Sequence, residues 1–515
     1  MTMSEQSNGR PLKPRCCPCG GVISRRDLLK AGGAALGGLA LGGCAWSALR
    51  AVAAEAPPPP ARQSLVVKPI FSHDLPQRRP QTSWRSWGGI ETQAQANEEV
   101  ARIQNELDAL RAAADFPVTF LPVAAIRGAA DVPKIADLDA ADAILFYPAG
   151  GWFDIFDAVL KSGKPAVFFL RHKSGPLYYW YEGISARYLH RHTDHPAVKG
   201  VDNQDVVVDS PAELLWRLRA LCGLKNTLGS RIVTIGGAGG WECPQAPDIA
   251  RTKWKLDIQD VPYPELGKLI QAAREDSAAV ARARQRADAY LKDGALALET
   301  KKTFVDNAFL LEQVFRSIMA RAGCKAITVN ACMGTIMPMA ETTACLTLSL
   351  LNDAGYLAFC ESDFVVIPAG ILMTQIADRP QYLNDPTYPH DGLITVAHCT
   401  APRKMNGKSL EPARIVTHFE SDYGAAPKVE MKKGTKVTSV IPDFLAKRYT
   451  GFVGEIVDAP FLPICRSQVE VAYKVPDARI AENMPGFHWI TIYGDYIREA
   501  GYALKKIPIA FENLG

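Results

Sequence analysis

The run Ala358-Phe359-Cys360-Glu361-Ser362-Asp363-Phe364 leads into an apolar, helix-like segment. That segment gives way to Tyr382-Leu383-Asn384-Asp385-Pro386-Thr387-Tyr388-Pro389-His390 and then to Leu393-Ile394-Thr395-Val396-Ala397-His398-Cys399. Two acidic positions, Glu361 with Asp363 and then Asp385, each follow a largely apolar run. In an open α/β sheet the ligand-binding loops lie at such points, outside the carboxyl ends of the strands. A carboxylate there is free to bind a hard cation or to move a proton, whereas one buried in mid-strand carries a large desolvation cost. The stretch therefore predicts an α/β fold with its site at the strand ends.

Upstream, strand-like and helix-like runs alternate. Leu65–Phe71, Val118–Ala125, Ala143–Tyr147 and Ala166–Leu170 read as strands, and 91–114 and 152–161 as helices. This is the βαβ alternation of a doubly wound parallel sheet. A second unit begins near Ser210, with a helix over 211–221, a strand over Arg231–Ile235, one long helical pattern over 265–292 and another over 301–321. The strand Ala326–Asn330, a helix over 341–353 and the strand 356–359 then deliver Glu361. From Ala413 onward short strand-like runs separated by turns predict an all-β, barrel-like module. The expected architecture is two Rossmann-like parallel-sheet domains, over 57–205 and 206–355, then an α/β segment and a β-barrel-like module over 356–515.

With 515 residues and 58 Lys and Arg against 54 Asp and Glu, the chain reads as a multidomain globular protein. No Lys/Arg stripe interleaved with aromatics marks a nucleic-acid surface. Residues 1–56 read as a targeting segment and linker. Ser24-Arg25-Arg26-Asp27-Leu28-Leu29-Lys30 resembles the twin-arginine export motif, and the Gly/Ala-rich run after it is too short for a membrane span. This implies the twin-arginine translocase as a partner and a periplasmic or otherwise extracytoplasmic location. Cleavage near Ala51-Val52-Ala53 is preferred, with Leu41-Gly42-Gly43-Cys44 as the competing lipoprotein box that would anchor the chain at Cys44. Of the twelve cysteines, Cys16, Cys17, Cys19 and Cys44 fall in this segment, and the other eight are scattered without disulfide-framework spacing.

The strand Arg231–Ile235 runs into Gly236-Gly237-Ala238-Gly239-Gly240-Trp241. Glycines at a strand end let backbone N–H groups approach an anion or a polyol. The full dinucleotide fingerprint and its ribose-reading acid are missing, so a tight turn at a subunit or substrate contact is preferred to nucleotide binding. His190-Arg191-His192-Thr193-Asp194-His195 has metal-ligand residue types without ligand spacing and reads as a polar loop.

Cys360-Glu361-Ser362-Asp363, Leu383-Asn384-Asp385, His398 and Gly486-Phe487-His488-Trp489-Ile490-Thr491-Ile492 follow the order seen in L-fucose isomerases and their L-arabinose isomerase relatives. Thr234-Ile235-Gly236-Gly237 with Trp254-Lys255-Leu256-Asp257-Ile258 resembles the second domain of the same family. The resemblance covers most of the chain beyond Arg231. It implies a divalent-metal-dependent aldose–ketose isomerase, with Mn2+ or another divalent cation held by Glu361, Asp385 and His488. It also implies Glu361 and Asp385 as the base and acid, His398, Gly236, Gly237 and Trp489 at a small sugar substrate, and a homo-oligomer. Two carboxylates and one imidazole suit an octahedral ion that keeps positions open for substrate oxygens. Taken singly, Glu361 and Asp363 also fit helix caps, Asp385 a turn before Pro386, and His488 a hydrogen-bonded structural histidine. One departure is Phe364-Val365-Val366-Ile367-Pro368, where relatives carry small residues; bulky side chains here are expected to narrow the pocket. The competing reading is a non-catalytic carbohydrate- or metal-binding descendant of the fold.

Overall fold

A computed structural model describes residues 58–151, 153–178, 184, 188, 189 and 200–515. The twin-arginine motif, Cys16–Cys19, Cys44 and the His190–His195 run lie outside them.

The first sheet is wholly parallel. Its order is 118–126, Leu65–Ser72, Ala143–Pro148, Ala166–Leu170, Val206–Val208, the edge being two short strands, Val118–Phe120 and Ala124–Ile126, on the same neighbour. Leu65–Ser72 and Ala143–Pro148 are buried almost throughout, as strands covered on both faces must be, which is why they read as continuous apolar runs. The helix Gln93–Ala113 covers one face; Thr92 and Gln95 cap its start reciprocally.

The second sheet has four parallel strands in the order Leu357–Phe359, Ala326–Val329, Arg231–Ile235, Asp257–Val261. The single long helix expected over 265–292 is two, Tyr263–Glu275 and Ser277–Leu291. Asp276 separates them, accepting the backbone N–H groups of Ala278 and Ala279. A further helix, Cys332–Ala340, was hidden in the sequence by Gly334 and by Pro338 inside it.

The β module starts earlier than the composition suggested. Tyr382–Pro386 and Leu393–His398 already belong to it. Six antiparallel strands close on themselves in the order Lys436–Ile441, Trp489–Tyr493, Tyr382–Pro386, Leu393–His398, Ser467–Ala472, Arg448–Asp458, and Arg448–Asp458 pairs back to Lys436–Ile441. Closure leaves no exposed edge among these strands. Ala413–Val416 and Ala426–Val429, expected in the barrel, instead form a small sheet with Leu296–Leu298. The expected class, two parallel-sheet units and a C-terminal barrel, is the class observed. One apolar core runs from Leu65 through Ile232 and Phe359 to Ile490, and a second fills the barrel around Phe452 and Trp489.

Candidate metal centre

Three strands of the second sheet end beside one another. Gly236 follows the first, Asn330 the second, and Cys360 and Glu361 the third. The glycine loop and the acid loop are stitched by backbone bonds: Gly239 N–H donates to the Ser362 carbonyl at 3.0 Å, and Phe364 N–H to the Gly239 carbonyl at 3.1 Å. Glycine is required at two points here. Gly236 has φ +78°, and a Cβ on it would meet the Tyr263 ring at 2.1 Å; a Cβ on Gly240 would lie 2.4 Å from the Cys243 carbonyl. Glu361 and Ser362 themselves adopt φ +66° and +48°, a costly conformation for residues with side chains. Ser362 N–H is held by the Thr328 hydroxyl at 3.1 Å.

The barrel supplies the opposite wall. Asp385 lies on Tyr382–Pro386, His398 ends Leu393–His398, and His488 immediately precedes Trp489–Tyr493. Tyr382–Pro386 is paired with both of the other strands. Asn384 faces Trp489 in register and Asp385 faces Ala397, so Asp385 is carried alongside His488 and one residue from His398. A slip of one residue would turn Asp385 to the other face.

The ligand atoms of Glu361, His398 and His488 all lie within 4.8 Å of one another. His488 Nε2 is 3.5 Å from Glu361 Oε2 and 3.3 Å from Asp385 Oδ1, and His398 Nε2 is 3.7 Å from Glu361 Oε1. His398 Nε2, His488 Nε2 and Asp385 Oδ1 are buried without a hydrogen-bond partner. Buried polar atoms are nearly always satisfied, so three neighbouring orphans mark a place for a further group. Glu361 with the two imidazoles fits a divalent cation as that group; Asp385, expected as the third ligand, lies beside His488 but outside this triad, and His398 takes its place. The remaining ring nitrogens are oriented: His488 Nδ1 bonds Asp363 Oδ2 at 2.7 Å, and His398 Nδ1 is 3.1 Å from the Thr400 hydroxyl. This is the outer-shell arrangement that fixes the tautomer of a metal-binding imidazole.

The electrostatics follow from this crowding. Burial opposes ionisation of Glu361, yet the His398 and His488 rings hold its carboxyl well below the usual range. Burial raises Asp385, the histidines counter this, and Glu361 and Asp363 add to it. Burial lowers the His488 imidazole, but the Asp363 bond and then Glu361 outweigh it and bring it up to about 10; His398 is raised in the same way, mainly by Glu361.

Glu361, Asp385 and His398 line a cleft of about 530 Å³. Trp241 and Phe487 flank its mouth, 53% and 48% exposed, with ring centroids 4.9 Å apart. Asp363 shows why an acid beside a strand end need not be a ligand: its Oδ1 accepts Val365 N–H and its carbonyl accepts Ile367 N–H, holding the turn that leads into the helix Ile367–Ala377, while Oδ2 orients His488. His390 is an exposed turn residue. Gly236 and Gly237 shape the loop, whereas Gly239, Gly240 and Trp241 line the cleft. Trp489, expected at the substrate, is 0% exposed and packs against Phe452 inside the barrel, because it alternates with His488 along the chain and so faces the other way. Phe364–Pro368 does not narrow the pocket; all five side chains are in the core beneath the acid loop. His418 and Glu420, also in the cleft wall, gave no signal in the sequence because their loop carries no recognisable pattern.

No protein-family model matches the chain. No curated protein is similar to it. Among solved structures, a carbohydrate transporter from Acidothermus cellulolyticus 11B, in complex with myo-inositol, aligns with 61% of this chain and 87% of its own at 13% identity and a TM-score of 0.15. So low a score establishes neither a shared fold nor a shared ligand.

Proposed function

We propose that this chain is a divalent-metal-dependent aldose–ketose isomerase of the kind its sequence resembles, acting on a small sugar through an enediol. The observation that carries this reading is the convergence of Glu361, His398 and His488, with Asp385 Oδ1 3.3 Å from His488 Nε2 and both Nε2 atoms and Asp385 Oδ1 buried without a hydrogen-bond partner. A bound divalent cation, Mn2+ being the expected one, supplies polarisation of the sugar carbonyl and of the neighbouring hydroxyl. The chain's own residues do the rest. Glu361, held ionised by the two rings, is the base that takes the proton from the carbon next to the carbonyl. Asp385, the second carboxylate beside His488, shares the acid and base roles with Glu361. His398 joins the ligand set in this reading. The aromatic pair at the mouth offers flat apolar faces to the C–H side of a sugar. Export in the folded state by the twin-arginine route and assembly as a homo-oligomer belong to the same proposal. Among the described residues no helix is long and apolar enough to cross a membrane.

The test is solvent-deuterium exchange with Mn2+-loaded protein over a panel of pentoses and 6-deoxyhexoses. Deuterium should enter at the carbon beside the carbonyl with at least one sugar, and uptake should fall by a factor of about 10² or more in Glu361→Gln, the usual scale for losing a general base. Tight metal binding with no exchange on any sugar would instead favour a non-catalytic sugar-binding protein.

A further inference from the structure

Cysteines crowd the same cleft. Five of its eighteen lining residues are Cys332, Cys345, Cys360, Cys399 and Cys465, whereas the whole chain has twelve in 515. All five are free thiols. Cys345 is in the first turn of the helix Ala344–Asp353, Cys399 follows the strand that ends at His398, and Cys465 lies two residues before Ser467–Ala472. These three form one packed cluster with Ala426, Cys345 and Cys399 being buried and Cys465 partly buried against them. The isomerase reading uses none of them.

A buried thiol is often no more than a small apolar side chain. Here the thiols border a cleft open to solvent, so an ion reaches them without unfolding. We propose that Cys345, Cys399 and Cys465 form a second metal site in this cleft, for a soft monovalent cation of the Cu(I) class. Thiolate sulfur selects soft ions, just as the carboxylates and imidazoles of the neighbouring cluster suit harder ones. The spacing narrows the choice further. The three sulfurs do not all lie within 4.8 Å of one another, as the Glu361, His398 and His488 atoms do. A structural zinc ion needs four ligands closed into a tetrahedron, which is not offered here. An ion satisfied by Cys399 and one neighbour, with the third sulfur nearby, fits.

The experiment is anaerobic Cu(I) titration of the full-length chain against a chromogenic Cu(I) chelator, with Mn2+ affinity measured in parallel. The expected result is one Cu(I) held per chain in competition with the chelator. Affinity should drop by about 100-fold or more in Cys399→Ser, beyond what losing an outer partner costs. Cys465→Ser, at a half-buried position, should weaken binding too and guards against a Cys399 variant that fails to fold. Glu361→Gln should lose Mn2+ and keep Cu(I). Three results would overturn the proposal: no Cu(I) retained against the chelator, Cu(I) retained equally by the Cys345/Cys399/Cys465 triple serine variant, or Cu(I) lost with Glu361→Gln or with Cys332→Ser. None of this depends on sugar turnover, so its failure is distinguishable from failure of the isomerase proposal.

Discussion

At the scale of single residues, the candidate centre depends as much on Asp363 as on its ligands. Its Oδ2 fixes the His488 ring through Nδ1 and leaves Nε2 pointing at Glu361 and Asp385. Asp363→Asn keeps the size and the bond to Val365 but loses the charge that holds the ring. Metal affinity is predicted to fall by about 10- to 100-fold, measured by Mn2+ titration, while the thermal unfolding midpoint moves little. An unchanged affinity would show that His488 needs no orienting partner. Glu361 and His488 were legible in the sequence because the acid closes an apolar run and the histidine opens one; Asp385, read by the same rule, lies beside His488 but outside the triad. The second histidine was legible as a residue but not as a ligand, since only the pairing of neighbouring strands brings His398 Nε2 to Glu361. Trp489 was misleading for a related reason: on a strand the residue after an inward-facing one faces away.

At the scale of elements, the register of three barrel strands sets the spacing of Asp385, His398 and His488, and the acid loop after Leu357–Phe359 brings Glu361 to them. The parallel strands were readable because burial on both faces makes them continuously apolar. Tyr382–Pro386 was not, because Asn384, Asp385 and Pro386 are poor strand formers that the site and the barrel hold in place. A second element behind the cleft has its own pH signature. Asp353, at the end of the helix Ala344–Asp353, accepts Lys404 N–H with Oδ1 at 2.7 Å, and its Oδ2 is buried without a partner. Burial pushes its carboxyl up to about 7, with the Lys404 N–H bond and Arg403 opposing. A raised folded-state value means that the native protein holds a proton the unfolded chain has released. Stability is therefore fully present below about pH 4 and is lost as pH rises through about 7, by roughly 4 kcal/mol in all. Asp353→Asn removes this titration, so relative to the variant the natural protein should become progressively less stable between about pH 4 and 7. Parallel thermal-melt profiles over that range would refute it.

At the scale of the whole molecule, the second parallel sheet and the barrel each contribute one wall of the cleft, and neither holds the candidate ligands alone. The alternation of elements made the two-sheet plan readable. The barrel's true start at Tyr382 was not, because its first two strands carry site residues whose chemistry overrides strand propensity. The central claim is that these walls meet in one divalent-cation site, and its most direct test is the Mn2+ stoichiometry and affinity of the full-length protein beside Glu361→Gln and His488→Asn. The account predicts one ion per chain in the natural protein, with affinity reduced by at least about 100-fold in each variant, more than removal of an outer partner costs. Binding that is absent, or equally tight in both variants, would contradict it.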